Sequence, residues 1–233
     1  MRWRSYVAVG DSFTEGLDDP YPDGSFRGWA DLVAARLAAE APDGLGYANL
    51  AVRGRLFPEV VTEQVPVALA MKPDLISFAA GGNDVLRRNF DPYPLIERFD
   101  QVVAELRAGG ADVLLFRFAD VMARLPGQRL VAPRVAVLNQ AVGETAARHG
   151  AMLVDLFADD EFHNPALWSA DRLHLAAAGH RRVAGHVLTA LDVKPDAEWA
   201  ARHFAPWVKR RLTGRSSGDA VTPKRPSLSP FQD

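Results

Sequence analysis

Five apolar runs constrain this chain more than any other feature: "SYVAVG" (5–10), "GYANLAV" (46–52), "DLISFAAG" (74–81), "DVLLFRFA" (112–119) and "AMLVDLF" (151–157). Each is nearly continuous rather than alternating, the pattern of a strand covered on both faces. Between and after them, stretches rich in Ala, Leu, Glu and Arg at 28–40, 58–71, 94–108, 132–149 and 176–192 read as helices. Glycines at 109, 110 and 150 sit where a helix would stop before the next strand. Repeated strand–helix units require right-handed crossovers and a parallel sheet. The expectation is an α/β fold: a flavodoxin-like three-layer α/β/α sandwich on a five-stranded parallel sheet of order 2-1-3-4-5. Such sheets bind ligands beyond the carboxyl ends of their strands, near the point where strand order reverses.

Composition agrees with one such domain. The chain has 233 residues, 48% hydrophobic and 24% charged, enough for a proper core. It has no cysteine, so neither a disulfide framework nor a thiolate metal site is open to it. No apolar stretch approaches the ~20 residues of a transmembrane helix. Arg2 and Arg4 precede an apolar run as in a secretory signal, but that run breaks at Gly10, short of the ~7–15 residues of a signal core. The N-terminus therefore reads as the first strand of a cytoplasmic protein. A net charge of −2 argues against a nucleic-acid partner, although residues 207–233 carry six Lys/Arg against two Asp. The expected organisation is a domain over 1–193, a C-terminal helical extension over 194–213 packing on its surface, and a disordered basic Ser/Pro-rich tail over 214–233. The stretch "DVMARLPGQRL" (120–130) reads equally as a lid or a plain surface loop. Nothing in the sequence fixes an oligomeric state.

The strand ends hold four short signals, each with a plain reading when taken alone. After strand one, Ser12 and Glu15 have the spacing of a capping box, and the loop could also cradle a phosphate. After strand two, Gly54 would serve a turn. After strand three, Asn83 follows two glycines in ordinary turn chemistry, with Asp84 placed to cap the next helix. After strand five, Asp171 and His174 stand three apart, so one turn of chain brings a carboxylate to an imidazole. His174, His180 and His186 recur every six residues, which does not gather them on one helix face, so no metal site is expected. Together the four signals converge on the ligand-binding edge as nucleophile, backbone donor, amide donor, base and orienting acid, the parts needed for acyl transfer.

Those residues carry a resemblance. "GDSFTEG" with Ser12, "NLAVRG" with Gly54, "GGND" with Asn83 and "DRLH" with Asp171 and His174 are similar to the four blocks of the SGNH hydrolase superfamily, also called the GDSL lipase/esterase family. The likeness runs from residue 6 to about 190, with Asn49 and Gly54 spaced more widely than in the commoner asparagine-x-glycine pattern. It implies hydrolysis of a small acylated substrate (a carboxylic ester, O-acyl sugar or thioester) through an acyl-enzyme, with no metal and no cofactor. Ser12, His174 and Asp171 are then expected as the catalytic triad. The Ser12 and Gly54 N–H groups and the Asn83 amide are expected as the oxyanion hole. Asp11 is expected to organise its loop by taking backbone N–H groups, with Glu15 helping to cap the short helix that follows. Phe13, Arg53, Phe57, Phe90 and Trp168 neighbour the blocks and are expected to line the substrate site, Arg53 pointing to an anionic or sugar-bearing substrate. The same residues would serve an acyltransferase. A non-catalytic ligand- or partner-binding protein of the same fold is the alternative from another class.

Overall fold

The computed structural model describes residues 2–120, 128–196 and 199. Its sheet consists of β1 (Ser5–Gly10), β2 (Gly46–Asn49), β3 (Leu75–Ala79), β4 (Asp112–Arg117) and β5 (Met152–Asp155). All pairings are parallel and the order is β2-β1-β3-β4-β5, as expected from the alternating pattern. The helices are α1 (Ser12–Glu15), α2 (Gly28–Ala39), α3 (Phe57–Glu59), α4 (Val65–Met71), α5 (Pro92–Ala108), α6 (Gln128–His149) and α7 (Ala177–Ala190). Successive strand residues serve opposite faces. Tyr6, Ala8, Leu114 and Phe116 pack with α2 and α7, while Val7, Val9, Val113 and Leu115 pack with α4, α5 and α6. Two apolar cores thus sandwich the sheet, which is why the strands carry no polar alternation.

Where boundaries differ from the sequence reading, side chains account for it. β2 is regular only to Asn49, whose side-chain Oδ1 takes the Ala51 N–H (3.1 Å) while its Nδ2 donates to Thr14 O (2.9 Å). The run to 52 nevertheless stays beside β1 through Leu50 N to Ala8 O (2.9 Å) and Val52 N to Gly10 O (3.3 Å). α6 begins at Gln128, ahead of Pro133, which stands inside the helix as its sixth residue and leaves it one N–H bond short. α3 and α4 are joined by a π-helical turn, Val60–Gln64, that turns Gln64 inward. The Gln64 amide donates to Gly10 O and its carbonyl accepts Gly10 N, both at 2.9 Å, bracing the end of β1. The C-terminal extension expected over 194–213, the tail over 214–233 and the 120–130 segment lie largely outside the described residues. Of the extension, Trp199 is partly buried against the α2–α7 core.

Beneath the switch point, α1 and α2 meet through glycine. Gly16 (φ +93°) and Gly28 (φ +60°) touch backbone to backbone: a Cβ on Gly28 would lie 2.3 Å from Gly16 Cα, and one on Gly16 would lie 2.6 Å from Gly28 Cα. Any side chain would part the two helices and force a left-handed residue. Gly28→Ala is expected to destabilise the protein by roughly 2–4 kcal/mol in urea unfolding. A loss below about 0.5 kcal/mol, the ordinary surface effect, would contradict this packing.

Candidate active site

A helix that starts straight from a buried strand needs its first N–H groups satisfied. Asp11 does this: it is the N-cap of α1, and its Oδ1 accepts the Phe13 N–H at 3.1 Å. Asp11 thus organises its loop as expected, and the Ser12–Glu15 spacing makes no capping box. Ser12 is the first helical residue, its N–H without an intrahelical acceptor and its hydroxyl released from capping. Glu15 instead points across to the loop after β2, where it accepts the Arg53 N–H (3.0 Å) and binds the Arg53 guanidinium.

The hydroxyl meets an imidazole from 162 positions along the chain, with Ser12 Oγ 3.0 Å from His174 Nε2. His174 Nδ1 lies 2.5 Å from Asp171 Oδ2. The loop carrying this pair is closed by a bridge between Trp168 and Leu175 and by Ser169 N donating to His174 O (2.8 Å). Arg172, with φ +65°, makes the sharp turn. Asp171 Oδ1 accepts three donors: Ser169 Oγ (2.7 Å), Leu173 N (2.9 Å) and His174 N (3.0 Å). Burial pushes the Asp171 carboxyl up, but these donors and the imidazole outweigh it and hold the group well below the usual carboxylate range. The carboxylate stays ionised and accepts a hydrogen bond from Nδ1–H, so Nε2 presents a lone pair to Ser12.

Two further loops reach the same edge. Asn83 Nδ2 donates to Arg55 O (3.0 Å) and to Asp11 Oδ2 (3.3 Å). Asp84 does not cap the short helix it begins; its Oδ2 accepts Phe57 N (2.8 Å) at the start of α3. Gly54, with φ +77°, is exposed on the loop between Val52, whose N–H reaches Gly10 O, and Arg55, whose carbonyl holds Asn83.

A pocket of about 110 Å³ opens beside Ser12, Asn83 and His174. Its walls are apolar: Phe13 from α1, Val85 after β3, Phe118 after β4, Leu138 of α6, and Phe162 and Trp168 after β5. His180 also faces it, yet both ring nitrogens are engaged, Nε2 donating to Leu17 O (3.0 Å) and Nδ1 accepting Trp29 N (3.3 Å). Burial lowers the His180 pKa and keeps the ring neutral. Of the residues expected to line the site, Phe13 and Trp168 do so, and Arg53, Phe57 and Phe90 do not. Arg53 is held by Glu15 and stacks on Phe26 (4.5 Å). Phe57 is buried between Phe78 and Phe99, and Phe90 lies against Arg134. Gln64, His180, Leu138 and Phe162 had no local motif to announce them, since their partners are backbone atoms and cavity walls distant in sequence. Among the described residues, Asp18, Asp171 and His174 offer ligand-type atoms within 4.8 Å of one another, but both His174 nitrogens are already hydrogen-bonded.

The sequence model of the GDSL-like lipase/acylhydrolase family matches residues 8–182, three-quarters of the chain. The chain belongs to this family. The structure of TesA superposes with a TM-score of 0.65 at 28% identity, over 80% of this chain and 97% of that one. Axe2, an acetylxylan esterase from Geobacillus stearothermophilus, superposes with a TM-score of 0.69 at 20% identity over 84% and 95%, a likeness of fold. The curated protein YpmR of Bacillus subtilis, described as uncharacterized, is 30% identical over 114 residues. That match takes in 43% of this chain and 45% of the relative, so the chain spans under half the length of that relative. Membership of the GDSL-like family agrees with the α/β sandwich and with hydrolase chemistry. No helix among the described residues is long and apolar enough to cross a membrane.

Asp11 gives a pH test. It is 4% exposed, and burial pushes its carboxyl from 3.8 up to about 6, against the Phe13 N–H and nearby His174. The folded value exceeds the unfolded one, so this group's contribution to stability is full below pH about 4 and is lost as pH rises through about 6. Relative to Asp11→Asn, the wild type should lose up to about 3 kcal/mol between pH 4 and 7 in urea titrations. Parallel pH profiles for the two proteins would contradict the assignment.

Proposed function

We propose that this protein is a serine ester hydrolase acting on esters or thioesters with a short-to-medium apolar acyl chain. The observation that carries the proposal is the hydrogen-bonded chain Ser12 Oγ–His174 Nε2 and His174 Nδ1–Asp171 Oδ2, at 3.0 and 2.5 Å, opening on an apolar pocket. His174 removes the hydroxyl proton as Ser12 Oγ attacks the acyl carbonyl, and Asp171 steadies the imidazolium that forms. The oxyanion is met by the N–H groups of Ser12 and Gly54 and by the Asn83 amide, which gives up the longer of its two bonds, the 3.3 Å contact to Asp11. His174 then protonates the leaving alcohol or thiol. A water deprotonated by the same imidazole releases the acid and restores Ser12.

The acyl preference follows from the pocket walls. The polar side chains that reach the cavity are Asp11, Ser12, Asn83 and His174 at the mouth, and His180, whose nitrogens are already paired. Sugar hydroxyls would find no partners deeper in, whereas each buried methylene is worth about 0.8 kcal/mol. A cavity near 150 Å³ holds the six carbons of a benzene ring, so this one of about 110 Å³ accommodates about four or five.

Ser12→Ala should abolish hydrolysis of p-nitrophenyl butyrate while keeping the wild-type melting temperature. Asn83→Ala should lower kcat by about 10²–10³ with little change in KM, the pattern of a donor used only in the transition state. Activity retained in the serine variant would refute the mechanism, and a defect confined to KM would remove Asn83 from it. Across p-nitrophenyl esters from acetate to palmitate, kcat/KM should peak between butyrate and hexanoate and exceed that for acetylated sugars. A maximum at acetate would contradict the acyl-pocket reading.

A further inference from the structure

The loop 52–55 after β2 has an unusual division of its amides. Val52 N donates to Gly10 O (3.3 Å), Arg53 N to Glu15 Oε2 (3.0 Å) and Arg55 N to Val52 O (3.4 Å). Gly54 N has no partner among the described residues, and a Cβ on Gly54 would meet nothing within 4 Å. Three of the four amides are thus committed, and the uncommitted one follows directly on the one Glu15 holds. Glu15 closes α1, the helix that Ser12 opens. We propose that Glu15 is a positioning residue that straps the Gly54 amide to the nucleophile's own helix, so that hydroxyl and oxyanion donor move as one body. This rests on the reading of Gly54 as an oxyanion donor.

The strap is doubly made. Glu15 Oε2 takes both the Arg53 backbone N–H and Arg53 Nε (2.9 Å), and Oε1 takes the second guanidinium nitrogen (2.8 Å). The guanidinium then lies 4.5 Å from the Phe26 ring, which fixes the outer side of the pair. The ion pair is half exposed on the arginine side and, as a surface pair, contributes little to stability. The bond to the backbone N–H sets the orientation of the peptide beside Gly54. Displacing a donor by about 1 Å can cost up to ~100-fold in rate. Loss of the carboxylate is therefore expected to act on turnover far more than on stability.

The test is steady-state hydrolysis of p-nitrophenyl butyrate, with competent sites counted by fluorophosphonate titration to completion. Glu15→Ala should lower kcat per titrated site at least about tenfold, with KM changed less than about threefold. Arg53→Ala keeps both the carboxylate and the backbone N–H, and should cost clearly less. Glu15→Gln keeps a carbonyl acceptor for that N–H and should recover most of the loss. Should Glu15→Ala not fold, Glu15→Asp serves the same comparison, since it keeps the charge but retracts it by one C–C bond of about 1.5 Å. A kcat loss in the Glu15 variant no larger than in Arg53→Ala, or a loss confined to KM, overturns the strap. Full activity in Ser12→Ala would instead overturn the underlying hydrolase reading, so the two failures are told apart.

Discussion

The hydrogen bond from Phe13 N–H to the Asp11 carboxylate sets the terms for the rest of the site. A short helix follows β1 with no intervening loop, and some side chain must answer its first N–H groups. Because Asp11 does so, Ser12 falls at the first helical position, with its hydroxyl left to His174 and its N–H unused within the helix. The cap comes at an energetic cost, since the Asp11 carboxylate is nearly buried and its pKa is driven up by desolvation. Its second oxygen faces the Asn83 amide, so the same group orders both the helix start and the loop after β3.

Around this start, bonds from distant segments fix each loop to its neighbour. Gln64 clasps both backbone groups of Gly10, Glu15 holds Arg53, Arg55 O holds Asn83, and Asp84 holds Phe57. His180 joins α7 to the α1–α2 connection through Leu17 O and to the start of α2 through Trp29 N. These bonds tie the loops around Ser12 and Asn83 to one another, the kind of fixed frame on which reacting groups can be held to a few tenths of an ångström. The sheet supplies the frame and the loops supply the chemistry, which suits a family whose members share a fold and differ in substrate.

The architecture was legible because both faces of the sheet are covered, so each strand shows as an apolar run and each crossover as a helical period. The regular part of β2 stops at Asn49, although Leu50 N and Val52 N still bond β1, because the Asn49 side chain takes the Ala51 N–H, an event no period records. The meeting of Ser12, His174 and Asp171 could be anticipated because each sits in a short block at a strand end. Proximity in sequence picked out Phe13 and Trp168 of the pocket walls, and misled at Arg53, Phe57 and Phe90. Phe57 lies three residues beyond Gly54, yet its helical position sends it into the core with Phe78 and Phe99. Arg53 adjoins Gly54, yet its charge is answered by Glu15. The actual walls, Leu138 and Phe162 among them, come from segments whose sequence records only burial.

The measurement that bears most directly on the account is the site and rate of covalent labelling by a fluorophosphonate, mapped by peptide mass spectrometry in the wild type and in His174→Ala. A single adduct on Ser12, formed orders of magnitude more slowly without the imidazole, is the result the account predicts. An adduct on a different residue, or labelling of Ser12 at equal speed in both proteins, would contradict it.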